Sequence, residues 1–374
     1  MNWTEYTLGE LLSYEQPTNY IVESTKYNDK FLTPVLTAGK TFILGYTNEK
    51  DGIYSDLPVI IFDDFTTASR YVNFPFKVKS SAMKILTPNI ELVIPKFIYY
   101  RMQAIQFDSS THKRYWIQQY SKIKVAVPPI LVQEQIVSRI EELFSKLDKG
   151  VETLQTIKQQ LAVYRQAVLK EAFARIEEKR TIREMSVMVT SGSRGWAKYY
   201  ADNGALFIRI GNLGHVGISI CFDDVQCVDL PDKAEGIRSR LYKNDVLVSI
   251  TADLGSIGYV PENIPEAYIN QHIAMIRFKN PIQGKFMAWY LRSEYGQKDL
   301  LKNKRGGGKQ GLGLDDIRNT RVPNVSNEYA EKIVQEIESR LSVCDSIEQT
   351  VAEALIQADA MRQSILKQAF EGEI

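Results

Sequence analysis

Residues 127–176 read VPPILVQEQIVSRIEELFSKLDKGVETLQTIKQQLAVYRQAVLKEAFARI, and the chain repeats much of this passage at its other end. Sliding 134–173 forward by 197 positions onto 331–370 gives 15 identities in 40 positions without a gap, with YRQAVLKEAF over MRQSILKQAF. In the first copy Ile140, Leu147, Leu154, Leu161 and Val168 recur every seven residues, and Ile136, Leu143, Ile157 and Tyr164 stand at the complementary heptad position. That is an a/d seam over about five heptads. Gly150 interrupts the d series and weakens the helix locally by roughly 1 kcal/mol. In the second copy the a positions are Ile337, Cys344, Val351, Ala358 and Ile365, and the d positions are Ile333, Arg340, Ile347, Ala354 and Met361. Bulky Leu154, Ile157 and Leu161 against small Val351, Ala354 and Ala358 suggest that the two helices pack on each other. Forty residues of helix span ~60 Å, the length of a spacer.

Leu169 and Phe173, matched by Leu366 and Phe370, fall outside this seam. They are read either as packing on an adjacent globular domain or as a twice-repeated docking patch for a partner subunit. With 374 residues and 44% apolar content, the chain has material for two globular units besides the helices. No basic N-terminal segment leads into an apolar run, and nothing approaches roughly 18 consecutive apolar residues. Neither secretion nor membrane spanning is expected, and a cytoplasmic location is. Cys221, Cys227 and Cys344 are too few and too irregularly spaced for a disulfide framework or a zinc site.

The net charge of +1 conceals a regional bias. Residues 1–127 carry 14 basic against 12 acidic side chains, 181–323 carry 19 against 15, 128–180 carry 9 against 8, and 324–374 carry 4 against 10. The globular regions are therefore the candidates for meeting a polyanion. From 1 to 127, YIVES, TPVLTAGKTFILGY, NEKDG and DLPVIIFDDFTT read as short strands and turns, FPFKVKSSAMKIL continues them, and PKFIYYRMQAI reads as a helix entered after Pro95. This is an α+β domain. Its last loop, FDSSTHKRYW, interleaves Lys113, Arg114 and Tyr115, a pattern suited to DNA contacts or simply to a solvated loop.

Past the first helix, Thr181 and Ile182 echo Thr7 and Leu8 at an offset of 174, so the second globular region and its junction are 23 residues longer than the first. SGSRGWAKYY presents Arg194 among glycines, ALFIRIGNLGHVG is a strand running into a turn near Arg209 and Asn212, and KNDVLVSITADLGSIGYVP is strand, loop, strand. YINQHIAMIRF is another strand, and KFMAWYLRS a helix parallel to KFIYYRM. The loop LKNKRGGGKQGLGLDDI then carries Lys304, Arg305, Lys309 and Gln310, in the place that FDSSTHKRYW holds in the first half. Gln310 stands where a Walker loop needs Ser or Thr, so nucleotide binding is not expected. A flexible basic loop at DNA phosphates and a plain linker both remain.

Catalytic signatures are missing from the sequence. His112, His215 and His272 lack metal-ligand spacing, and Asp63 and Asp64, adjacent on a strand, would point to opposite faces and read as turn residues. Glu177-Glu178-Lys179 lies in a charged helix tail, and no Asn-Pro-Pro-aromatic methylation motif occurs. The chain is read as one that recognises rather than reacts.

The order of domain, helix, domain, helix, with VPPILVQEQIVSRIEELF and VLKEAF closing the first half and MRQSILKQAFEGEI the second, resembles the specificity subunit of Type I restriction-modification systems. PVLTAGKTFILGYTNEKDGIY, LPVIIFDDFTT, IRIGNLG and INQHIAMIRF add to the resemblance. It implies target-recognition domains at 1–127 and 181–323, helical spacers at 128–180 and 324–374 forming an antiparallel coiled coil, and internal pseudo-two-fold symmetry. Each domain would read half of a bipartite site in double-stranded DNA. Lys113, Arg114, Lys304, Arg305 and Lys309 would hold phosphates, Tyr115 would join them, and Arg194, Arg209, Asn212 and Gln310 would read base edges. Two methylation subunits would dock on the helices and ATP-driven restriction subunits would join. S-adenosylmethionine, ATP and Mg2+ belong to those partners in this reading, and this chain holds no cofactor. The competing reading is a coiled-coil adaptor without DNA specificity.

Overall fold

The computed structural model describes residues 3–39, 41–108, 114–214, 216–231, 237–304 and 310–373. They form two compact units, Met1–Gln155 with Ala352–Ile374, and Thr156–Val351. The first half of the chain runs β1 (Thr4–Thr7), α1 (Leu8–Leu11), β2 (Leu12–Glu15), β3 (Thr33–Leu36), β4 (Ile43–Thr47), β5 (Val59–Asp63), β6 (Ser69–Val72), β7 (Lys77–Val78), β8 (Met83–Pro88), α2 (Pro95–Gln103), β9 (Lys124–Val127) and the long α3 (Ile130–Phe173). The second half runs β10 (Lys179–Thr181), α4 (Ile182–Met185), β11 (Ser186–Ser191), β12 (Tyr200–Ala201), β13 (Ala205–Ile208), β14 (Gln226–Val228), β15 (Val246–Ser249), β16 (Ile257–Tyr259), β17 (Ala267–Ile269) and β18 (Ile273–Phe278). It closes with α5 (Gly284–Arg292), α6 (Glu294–Leu300), α7 (Leu314–Asn319), β19 (Arg321–Pro323) and the long α8 (Asn327–Glu371).

Within the first unit a sheet of order β2-β8-β5-β6 carries helices on one face and a second sheet, β4-β3-β7, on the other. Strand β5 shows why its sequence, VIIFD, is a continuous apolar run rather than an alternation. Ile60 and Phe62 enter a core with Leu8, Leu11, Phe97 and Ile140, while Val59 and Ile61 enter the other core with Leu36, Phe76 and Val78. A strand buried on both faces needs apolar residues at every position. The second unit repeats the plan with β11-β18-β15-β16 and β12-β14-β13-β17. Val246 and Val248 of β15 face the helical side and Leu247 faces the second sheet. In both units the second sheet holds one parallel pair, β3 with β7 and β13 with β17. The additional residues of the second half include β12 and α6.

Each unit is tied off in the same way. β1 pairs antiparallel with β9, and β10 with β19, so the strand entering each domain region meets the strand leaving it. At the following turn Thr7 and Thr181 cap short helices with Glu10 and Glu184 reaching back, and Leu8 N donates to Ile123 O as Ile182 N donates to Thr320 O. The sequence echo of Thr181-Ile182 with Thr7-Leu8 is thus a repeated capping box.

The helices run antiparallel within each unit. In the first, the end of α8 lies along the first half of α3: Ile365, Leu366, Ala369 and Phe370 share a core with Ile136, Ile140 and Phe144, and Arg362 pairs with Asp148. In the second, the end of α3 lies along the start of α8: Val168 and Leu169 meet Ile333, Ile337 and Leu341, and Arg165 pairs with Asp345 at 2.7 Å and Glu348 at 2.9 Å. Every a position of α8, Ile337, Cys344, Val351, Ala358 and Ile365, is buried. The d positions Tyr164, Ile347 and Met361 are exposed, while Val137, Phe144, Arg165, Leu341 and Ala369, one turn after a positions, are buried. Globular side chains cover that stripe, as Tyr100 does Phe144 with ring centroids 5.7 Å apart, and so the buried face is wider on one side than a two-helix seam. Gly150 leaves α3 unbroken. Among the described residues no helix is long and apolar enough to cross a membrane.

Hydrogen bonds from Thr7, first from its backbone, hold the Glu10 carboxyl below the usual carboxylate range, and bonds from the Thr181 side chain and backbone do the same for Glu184. A lowered folded-state pKa contributes stability above the unfolded-state pKa and loses it as pH falls through the folded value. Thr7→Ala and Thr181→Ala are each expected to cost about 1 kcal/mol in urea unfolding at neutral pH. That deficit should shrink below about pH 4, where protonation of Glu10 and Glu184 weakens the same hydrogen bonds in the wild type.

Candidate nucleic-acid interface

The two basic loops end against equivalent turns. In the first unit Asp63 Oδ1 accepts from the backbone nitrogens of Phe65 and Thr66 at 2.9 and 3.0 Å, shaping the β5–β6 turn. The adjacent Asp64 points inward, is 1% exposed, accepts from Trp116 N at 2.8 Å and pairs with the buried Lys84 at 3.3 Å. Tyr115 N donates to Asp64 O at 3.0 Å. One buried carboxylate therefore fastens the end of the FDSSTHKRYW loop to the turn, and the two aspartates serve structure, as the sequence suggested. In the second unit Leu312 N donates to Ile250 O at 2.9 Å and Thr251 bridges Gly311, which fastens the end of the glycine-lysine loop to the β15–β16 turn.

Further backbone bridges gather one edge of the second unit. Ser193 bridges Asn270 just after β17, and Asn270 N donates to Ile208 O at the end of β13. The approach of the SGSRG segment requires Gly192, where a Cβ would lie 1.8 Å from Ile269 O. The exposed Arg194, the half-buried Arg209 and the exposed Gln310 are thereby brought to the same edge as Thr251, Gln271 and His272. Nothing local in the sequence marks the last three as a group, because residues 251 and 271–272 become neighbours only through strand pairing.

Two of the expected contact residues are used inside the fold. Tyr115 is 2% exposed, its ring 5.1 Å from that of Phe107, so it belongs to the core rather than the surface. Asn212 is 4% exposed; its Oδ1 accepts from Arg209 N, and its Nδ2 donates to Cys221 O and Asp224 O, which shapes the turn after β13 and leaves no amide group for a base. Arg114 and Lys304 are exposed. Lys113, Arg305 and Lys309 lie outside the described residues.

Leu169, Phe173, Leu366 and Phe370 are all buried, which corrects the docking-patch alternative. Phe173 sits edge-on to Phe286 and Tyr290 of α5, at 5.5 and 5.4 Å, and Phe370 sits edge-on to Phe97 of α2 at 5.5 Å with Arg101 over its ring. They anchor each helix end to a globular unit. The same repeat carries two ion pairs between helix and domain, Lys96 with Glu141 and Lys285 with Glu338. Among the described residues no group of three His, Cys, Asp or Glu side chains is placed to hold a metal ion.

The family model of the Type I restriction modification DNA specificity domain matches residues 1–162 and 238–356. The chain belongs to that family. It is 40% identical over 212 residues to the Type I restriction enzyme EcoR124I/EcoR124II specificity subunit of Escherichia coli, a match covering 53% of this chain and 52% of the relative. It is 28% identical over 281 residues to the EcoBI specificity subunit of Escherichia coli, covering 66% and 58%. The matches thus span little more than half the length of these two relatives. Across all of this chain and 98% of the other, the fold is similar, with a TM-score of 0.73 at 16% identity, to a chain from work titled the structural basis underlying complex assembly and conformational transition of the type I R-M system. The HsdS subunit from Thermoanaerobacter tengcongensis is similar over 100% of this chain and 97% of its own, with a TM-score of 0.53 at 16% identity.

Asp64→Ala leaves Lys84 buried without its partner and removes the acceptor of Trp116 N, while the backbone bond from Tyr115 N to Asp64 O remains. It is expected to cost about 3–5 kcal/mol in chemical unfolding, whereas Asp64→Leu combined with Lys84→Met should recover much of that loss.

Proposed function

We propose that this chain is the DNA-addressing subunit of a cytoplasmic Type I restriction-modification complex. Residues 1–127 and 181–323 each read one half of a bipartite duplex site, and the helices of 128–180 and 324–374 set the gap and carry two methylation subunits. Restriction subunits driven by ATP complete the assembly. S-adenosylmethionine, ATP and Mg2+ act on those partners, while this chain supplies the address and no catalytic group. The observation that carries this reading is the duplicated edge, in which a basic loop is fastened to the turn after a central strand once in each unit.

In each half the phosphates are held by the basic loop, through Arg114 with Lys113 in the first and Lys304 with Arg305 and Lys309 in the second. Arg194, Arg209 and Gln310 face base edges in the second half. Exposed apolar residues on the helices, among them Val163 and Val343 in one unit and Ile356 and Met361 in the other, support their use as docking faces.

Duplex binding by the chain assembled with its methylation subunit, followed by fluorescence anisotropy over a salt series, tests this. Arg114→Ala and Lys304→Ala are each expected to weaken binding to all duplexes alike and to lower the slope of log K against log salt by about 1. Unchanged affinity and slope in both variants would remove the loops from the interface. An assembled complex without salt-dependent duplex binding would leave the adaptor reading.

A further inference from the structure

We infer that Gln271 reads an adenine edge in the half-site of the second unit, with His272 and Thr251 fixing its amide; this rests on the DNA-addressing function proposed above. His272 Nδ1 lies 2.6 Å from Thr251 Oγ1, and His272 Nε2 lies 2.9 Å from Gln271 Nε2. An amide nitrogen only donates, so His272 Nε2 accepts, and the ring proton sits on Nδ1, where it donates to the Thr251 hydroxyl oxygen. One Gln271 N–H is thereby committed to the histidine. What remains is the second N–H and Oε1, a donor beside an acceptor. That pair is complementary to adenine, whose major-groove edge offers the N7 acceptor and the N6 donor, and is mismatched to guanine, which offers two acceptors.

The turn that carries these residues is held independently of them. His272 N donates to Asn270 Oδ1 at 3.1 Å, and Ile250 N donates to His272 O at 2.9 Å. The first unit builds the same turn, with Ala82 N donating to Ser80 Oγ at 3.4 Å and Asp64 N donating to Ala82 O at 3.0 Å. Ser81 and Ala82 therefore occupy the places of Gln271 and His272. The duplicated scaffold keeps its backbone bonds and changes the two side chains, as two domains reading different half-sites require. Gln271 and His272 are both half-buried, and they stand beside the end of the glycine-lysine loop through the bridge from Thr251 to Gly311.

The test is the methylated motif produced by the chain with its methylation subunit on a random-sequence library. Gln271→Ala should reduce the preference for adenine at one position of one half-site by about tenfold, leaving the gap and the other half-site unchanged. His272→Ala and Thr251→Val act through Gln271 and should relax that same position only. Gln271→Glu replaces the outward donor with an acceptor and should shift the preference at that position toward cytosine, whose N4 donates. It also keeps the shape of the side chain, and so decides the matter if the alanine variant does not assemble. The inference is overturned if the glutamate variant methylates the wild-type motif, or if the variants lower methylation evenly over both half-sites without a change at any one position. A wild-type complex that shows no split motif would instead contradict the proposed function itself.

Discussion

The fold depends on the burial of each long helix's last turns in a globular unit. Phe173 and Leu169 close the core of one unit, and Phe370 and Leu366 close the core of the other. Fully burying such side chains contributes about 1.5–3 kcal/mol each, while the exposed helix-to-domain pairs of Lys96 and Lys285 contribute well under that. Apolar burial holds the helices on the domains, and charge sets their register. The register pairs recur with the repeat: Asp148 with Arg362 stands 197 positions from Asp345 with Arg165. The two copies of the pair are formed with the helices in exchanged roles, the first supplying aspartate in one unit and arginine in the other.

That exchange makes a single chain behave as a pair of related halves. Each half spends its regular structure on the same problem, a central sheet covered by helices on one side and a smaller sheet on the other. The strands leave their connecting turns at one edge, where backbone bonds common to both units, joined by a few side chains that bond back to the turns, such as Asp63, Asn212 and Asn270, fix the geometry. An edge fixed in this way tolerates different side chains, which is the physical requirement for reading two unlike half-sites with one scaffold.

Much of this was legible in the sequence because it is local or periodic. The heptads, the proline that opens α2, the Thr-x-x-Glu caps and the apolar run of β5 each state their structure within a few residues. The exposure of Tyr164, Ile347 and Met361 was not legible, since it depends on which side of the helix the globular domain covers. Tyr115 and Asn212 were expected at the surface because aromatic and amide side chains suit DNA, yet Tyr115 fills space beside Phe107 and Asn212 satisfies three backbone groups. Composition cannot distinguish an amide that faces solvent from one that closes a turn. The chain of Thr251, His272 and Gln271 was hidden for another reason, because strand pairing alone brings its members together.

The most direct measurement of the central claim is the methylation map of genomic DNA exposed to the wild-type chain assembled with a candidate methylation subunit, read by single-molecule sequencing. Two short specified blocks separated by a fixed unread gap are the expected result, since two scaffolds with different edges are carried on one helical spacer. A single continuous motif, or methylation without sequence preference by a fully assembled complex, would contradict the account.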